Sequence, residues 1–183
     1  MSFRNNSLFI IIKKIIYTFF SFPLKITKSR ILFSTADILK HDAAVWTDES
    51  YYKSEYYINM DSHSIALLQE VKQNNRKEAR ILDIFCNIGR HINHLQQYGY
   101  NNVYGFDIMK PAIAKMADVF PNIDREKIEH CNIYDYFESI EDDFFDYAFS
   151  NTAGLELIHP SYDIAKILSK KVKKGITVLL NDL

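Results

Sequence analysis

The residues best suited to chemistry lie between positions 83 and 107: Asp83, Asn87, Gly89 and Asp107. Asp83 falls in a short apolar run, Ile81 to Phe85, that reads as a buried strand. Cys86-Asn87-Ile88-Gly89 makes a tight polar turn, and Arg90-His91 opens a helix. A strand, a turn and a helix in that order bring backbone N–H groups and the positive end of a helix dipole to one place. Eighteen residues after Gly89, a second strand-like run, Val103 to Phe106, ends in Asp107. A nucleotide-binding fold puts the carboxylate that accepts hydrogen bonds from ribose hydroxyls at about this point. A dinucleotide-binding protein could use the same acid. The turn has one glycine rather than three, however, and does not match G-x-G-x-x-G.

The run Leu82-Asp83-Ile84-Phe85-Cys86-Asn87-Ile88-Gly89-Arg90 resembles the first motif of class I S-adenosylmethionine-dependent methyltransferases, L-D-x-G-C-G-x-G-R. Tyr104-Gly105-Phe106-Asp107-Ile108 is similar to their second motif, and Phe145 to Ser150 to their fourth strand, so the likeness spans about 61–183. It implies a Rossmann-like α/β fold, a parallel sheet with helices on both faces, and S-adenosylmethionine as cofactor. It also implies roles for residues. Asp83 would anchor the turn and the cofactor's amino group, and the backbone of Phe85, Cys86, Asn87 and Gly89 would line the methionine portion. Asp107 would bind the ribose, Ile108 and Met109 would flank the adenine, and Asn132 and Ile133 would read its edge. Asn151, just past the fourth strand, completes the set. Phe85 and Asn87 stand where the family usually has glycine. Asparagine tolerates positive φ better than most residues, so Phe85 is the harsher departure.

The elements that would position these residues follow from periodicity. Asp61 or Ser62 caps a helix whose apolar face is Ile65, Leu67, Leu68 and Val71, closed by Asn74-Asn75. A helix from about His91 to Tyr98 stops at Gly99, and Pro111 opens another that ends before Pro121. A third strand spans 128–133, a fourth 144–150, a helix 162–171 and a fifth strand 176–180. Strands alternating with helices at this spacing define a parallel sheet. Family members continue through two more strands, which this sequence lacks.

The chain of 183 residues is long enough for one domain with a substantial core. Its net charge of −1 gives no reason to expect nucleic acid. Residues 1–36 carry six basic side chains and no acid, whereas the remaining 147 carry 16 basic and 23 acidic ones, a balance of −7. Residues 1–30 hold two apolar, aromatic runs split by Lys13-Lys14. The lysines argue against a spanning helix. A basic helix lying on an anionic membrane surface, or one docked on the domain or a partner subunit, remains open. With only Cys86 and Cys131 there is no disulfide framework, which fits a reducing cytoplasm. The organisation is thus an arm and aromatic segment, 1–60, before a cofactor-binding domain, 61–183. Trp46, Tyr51, Tyr52, Tyr56 and Tyr57 in the first part fit either a lid over the cofactor or a cover on the sheet.

Methyl transfer needs above all an oriented methyl and nucleophile, with a base only where the acceptor must lose a proton. His159, after the fourth strand, is the candidate base. His91 and His94, three apart on one helix, read as surface residues rather than metal ligands, and no metal site is expected. The stretch Ser150-Asn151-Thr152-Ala153 lacks the N-P-P-Y form used by methyltransferases of nucleic-acid bases. The resemblance therefore implies a small-molecule acceptor, such as a sugar or a lipid-linked intermediate. The competing reading is a catalytically inactive relative that binds a partner.

Overall fold

The computed structural model describes residues 48–151 and 161–179. Five strands form one parallel sheet: β1 Ile81–Ile84, β2 Val103–Asp107, β3 Ile128–His130, β4 Tyr147–Asn151 and β5 Ile176–Leu179, in the order β3-β2-β1-β4-β5. Ile81 pairs with Val103 on one side and Tyr147 on the other, so β1 is central. All four of its residues are buried, as expected for a parallel strand covered on both faces.

The helices are α1 Glu49–Tyr52, α2 Glu55–Ile58, α3 Ser62–Asn74, α4 Arg90–Gln97, α5 Lys110–Val119, α6 Ile133–Glu138 and α7 Ser161–Lys171. Their ends carry the expected local chemistry. Asp61 caps α3 by accepting the Ser64 N–H at 2.7 Å, worth about 1 kcal/mol. Pro111 sits in the first turn of α5, where its missing N–H is of no consequence. Strand order steps outward from β1 to β3, then reverses to β4 and β5. Right-handed crossovers therefore put α4 and α5 on one face and α6 and α7 on the other. The reversal lies between β1 and β4. In open parallel sheets the crevice at the carboxyl ends of such neighbours is where ligands bind.

On the α6–α7 face, Leu82, Ile84, Phe106, Tyr136, Phe137, Phe145 and Leu168 form one buried cluster. Phe106 stacks on Tyr136 with centroids 4.4 Å apart and meets Phe137 edge-on at 5.8 Å. Such pairs contribute about 0.5–1.5 kcal/mol each beyond area burial. On the opposite face α4 lies unusually close to β2. A Cβ on Gly105 would fall 2.6 Å from Ile92 Cδ1 and 2.9 Å from Cys86 Sγ, so only glycine permits this approach.

Several expectations need correction. Ile65 is 43% exposed, and Ser64 takes its place on the buried face with Leu67, Leu68 and Val71. The third strand ends at His130, because Asn132 turns the chain into α6. The fourth begins at Tyr147, and Phe145 only bridges to Val172. Of the aromatic segment, Tyr52 is fully buried and lies under Lys115 Nζ at 5.4 Å, whereas Tyr51 is exposed. The arm 1–30, Trp46, His159 and position 180 lie outside the described residues. No described helix is long and apolar enough to cross a membrane. Both cysteines are free thiols.

Candidate functional site

Every second residue of the turn after β1 has a positive φ. Phe85 has φ 61°, Asn87 53° and Gly89 77°. The two positions where the resembled motif has glycine thus keep a glycine-like conformation although neither is glycine. Asn87 stabilises its own kink, its side-chain Oδ1 accepting the Ile88 N–H at 2.7 Å. Phe85 sends its ring toward the α6–α7 core, edge-on to Phe106 at 5.5 Å. Gly89 closes the turn by donating its N–H to Cys86 O at 2.8 Å. A Cβ there would lie 2.7 Å from Ile123 Cδ1, so β-carbon bulk is excluded as well as strained.

Asp107 ties this turn to the end of β2. Its Oδ2 accepts the Asn87 N–H at 2.9 Å and its Oδ1 the Met109 N–H at 2.8 Å, with the residue 4% exposed. A carboxylate at this strand end is the group type that accepts hydrogen bonds from ribose hydroxyls. Asp107 is consequently a structural staple too, and truncation to alanine would loosen the turn rather than leave it untouched. Beside it Ile108 is 38% exposed, while Met109 is buried.

Asp83 lies on the opposite face of β1 from Leu82 and Ile84, beneath the turn and 1% exposed. Its Oδ2 stands 3.5 Å from His91 Nδ1, within ion-pair reach but without the geometry of a hydrogen bond. Burial raises its pKa above the ordinary carboxylate value, an effect that His91 and Arg90 only partly oppose. The nearby Cys86 thiol is pushed well up by burial and by Asp83 and Asp107, so it is not a thiolate nucleophile.

Around His91 a polar cluster joins β1, α3, α4 and β4. Asn151 Nδ2 reaches His91 Nε2 at 3.0 Å and Ser64 Oγ at 2.8 Å. Ser64 Oγ also accepts from Arg90 Nη2 at 3.1 Å and donates to Asp61 Oδ2 at 3.2 Å. Arg90 Nη1 donates to Asn59 O at 3.1 Å, which fastens the end of α2 to the site. Burial alone would raise the Asp61 pKa, but the Ser64 bonds and the Arg90 charge outweigh it and hold it low. The order Ser64–His91–Asp83 has the outline of a hydrolytic triad, yet it cannot act as one. Ser64 is fully buried, its proton goes to Asp61, and Nε2 is 3.4 Å from Oγ.

The structure brings together Asp83, Phe85, Cys86, Asn87, Gly89, Asp107, Ile108, Met109 and Asn151 at the carboxyl edge of β1, β2 and β4. Asn132 stands past the end of β3, its Oδ1 capping α6 through the Tyr134 and Asp135 N–H groups, with Ile133 buried behind it. His94 is half-buried, and its pKa is lowered by burial, Lys72 and His91. No group of three or more metal-ligating side chains occurs among the described residues. His91, at 8% exposure, is not a surface residue: it, Ser64 and Arg90 escaped the sequence reading. A signal existed. His91 stands four residues before buried Leu95 on α4, and Ser64 leads the 64-67-68-71 stripe of α3.

A five-stranded parallel sheet in this order, with helices on both faces, is a Rossmann-like α/β fold. More specifically, the fold is that of class I S-adenosylmethionine-dependent methyltransferases. A SAM-dependent methyltransferase from Archaeoglobus fulgidus superposes with TM-score 0.52 at 19% identity, over 69% of this chain and 54% of that one. The plantazolicin methyltransferase BpumL in complex with SAH gives 0.55 at 15%, over 79% and 59%. The bifunctional kinase-methyltransferase WbdD gives 0.55 at 17%, over 74% and 31%. At these identities the likeness is one of fold, and the chain spans little more than half the length of the first two. No protein-family model and no curated protein sequence matches the chain.

The residues present fit the cofactor. Oδ2 of Asp83 is a buried acceptor with no hydrogen-bond donor, placed where an ammonium would supply one. Asp107 is a fixed carboxylate at the second strand end, and the turn with its positive-φ residues runs between the two.

Proposed function

We propose that the chain binds S-adenosylmethionine at the carboxyl edge of β1 and β2 and transfers its methyl group to a small-molecule acceptor. The observation that carries this reading is the locked turn: Asp107 bonded to the Asn87 N–H, with Phe85, Asn87 and Gly89 all left-handed. When bound, S-adenosylmethionine supplies a methyl group on a sulfonium, electrophilic without further activation. The protein's task is then to hold and orient. Asp107 accepts the ribose hydroxyls, Asp83 accepts from the ammonium, and Ile108 with Met109 gives an apolar wall for the base. Because Asp107 is already fixed by two backbone N–H groups, it loses little freedom on binding. His91 has a neighbour at each nitrogen, so it orients the site rather than taking a proton from the acceptor. A base, where the acceptor needs one, is sought in the residues that follow β4, with His159 the candidate.

The acidic balance of residues 37–183 supports a small or neutral acceptor over nucleic acid. The basic arm, 1–30, is proposed to carry the protein to an anionic membrane surface or a partner subunit. Methyl-labelled S-adenosylmethionine offered with sugars, lipid extracts and nucleic acid tests the reading. Label in a small-molecule or lipid fraction, lost in Asp107→Asn, supports it. Label in nucleic acid, or cofactor binding with no transfer to any fraction, counts against it.

A further inference from the structure

We propose that Asn151, His91 and Asp83 form a relay in which His91 is a positioning residue. Asn151 fixes the imidazole as the Nδ1–H tautomer, whose N–H edge faces the Asp83 carboxylate at ion-pair distance and orients the site for a ligand ammonium. The relay is a property of the free protein; only its ligand rests on the proposed function.

Hydrogen-bond bookkeeping carries the argument. A serine hydroxyl has one proton and two acceptor sites. Ser64 gives its proton to Asp61 Oδ2 at 3.2 Å and accepts from Arg90 at 3.1 Å and Asn151 at 2.8 Å, so all three are used. Nothing of Ser64 is left for His91 Nε2. The remaining neighbour of Nε2 is the Asn151 amide nitrogen at 3.0 Å, a donor. With the Asn151 amide nitrogen turned toward it, Nε2 is the acceptor nitrogen, and the ring proton sits on Nδ1, which faces Asp83 Oδ2 at 3.5 Å. The Phe149 ring, edge-on at 5.9 Å, holds the imidazole plane from the sheet side.

A protonated His91 breaks this arrangement. A proton on Nε2 would point at the Asn151 amide hydrogens, and Asn151 would have to turn over to receive it. The new positive charge would also sit against Asp83 and compete with the ammonium. The charged and titratable groups facing the relay are Asp61 before α3, Arg90 and His94 on α4, and Asp83 and Cys86 around the turn. Arg90 is already paired with Asp61 at 3.6 Å.

The test uses the full chain and two readouts. Ring-nitrogen chemical shifts of His91 in the ligand-free protein at pH 8 should show Nδ1 protonated and Nε2 bare. In Asn151→Asp, where a carboxylate replaces the amide donor, Nε2 should become protonated. Affinity for S-adenosylhomocysteine, which carries the ammonium, should fall about tenfold at pH 8 in both Asn151→Asp and His91→Gln. An Nε2–H tautomer in the wild type would overturn the relay. Unchanged affinity in both variants would overturn it too. The expected tautomer with no binding by the wild type would refute both the proposed function and the ammonium role, whereas binding that neither substitution weakens would refute the relay's function alone.

Discussion

Replacing Phe85 separates two opposing contributions at the one position where this turn departs most from glycine. The residue has φ 61°, a conformation that costs an L-residue about 1–2 kcal/mol. Alanine keeps that strain and glycine removes it. Glycine also brings back about 0.5–1 kcal/mol of unfolded-state entropy. Glycine should therefore be the more stable of the two by about 0.5–1 kcal/mol, the reverse of the usual order. Both lose the ring, which is half-buried on the core and edge-on to Phe106 at 5.5 Å. Removing a fully buried Phe costs about 3–5 kcal/mol, so half-burial implies about 2 kcal/mol. Phe85→Ala is expected to lower the melting temperature by about 4–8 °C, with Phe85→Gly a few degrees above it, using about 2–4 °C per kcal/mol for a domain of this size. Thermal unfolding followed by circular dichroism reads the difference. The same pair at exposed Lys166 in α7 gives the control, where alanine should exceed glycine by about 1 kcal/mol. Alanine at or above glycine at position 85 would mean that the turn is not left-handed there.

Other perturbations test separate parts of the site. Asp83→Asn should stabilise the ligand-free protein while weakening S-adenosylhomocysteine binding, because it removes a desolvated charge that lacks a formed hydrogen bond. For the same reason, the raised native pKa of Asp83 makes its contribution fall as pH rises from about 3.9 through that native value. Asp83→Asn should flatten that part of a stability–pH curve measured in urea; an unchanged curve would contradict the assignment. Gly105→Ala should cost about 1–3 kcal/mol by driving α4 off β2, since the added carbon meets Ile92 and Cys86 below 3 Å; a neutral melting temperature would refute that packing. Asp107→Asn leaves one of two backbone N–H groups facing an amide instead of an acceptor. It should cost about 1–3 kcal/mol in urea unfolding as well as ligand affinity.

The fold was legible because the core strands announce themselves. Ile81–Ile84 and Val103–Phe106 are continuous apolar runs closed by turn residues, and Gly99, Pro111 and Asn75 punctuate the helices where physics puts them. Asp83 and Asp107 were legible for the opposite reason, as carboxylates at places where burial would otherwise exclude them. The polar cluster was not. Ser64 and His91 are ordinary helix-surface types, and only the closeness of α3, α4 and β4 turns them inward. Asn151 gains its meaning from a partner 60 positions away. Asn132 shows the same limit: as a strand-end residue it reads as a ligand group, but its side chain is already engaged in capping α6. Phe85 could be recognised as out of place, yet not that its ring would fold back onto Phe106.

The central claim is that the turn between β1 and α4 is a cofactor site despite Phe85. Calorimetric titration of the full chain with S-adenosylmethionine and S-adenosylhomocysteine tests it most directly. The account predicts one-to-one binding of both, strongly weakened in Asp107→Asn. A folded protein that takes up neither ligand would contradict it.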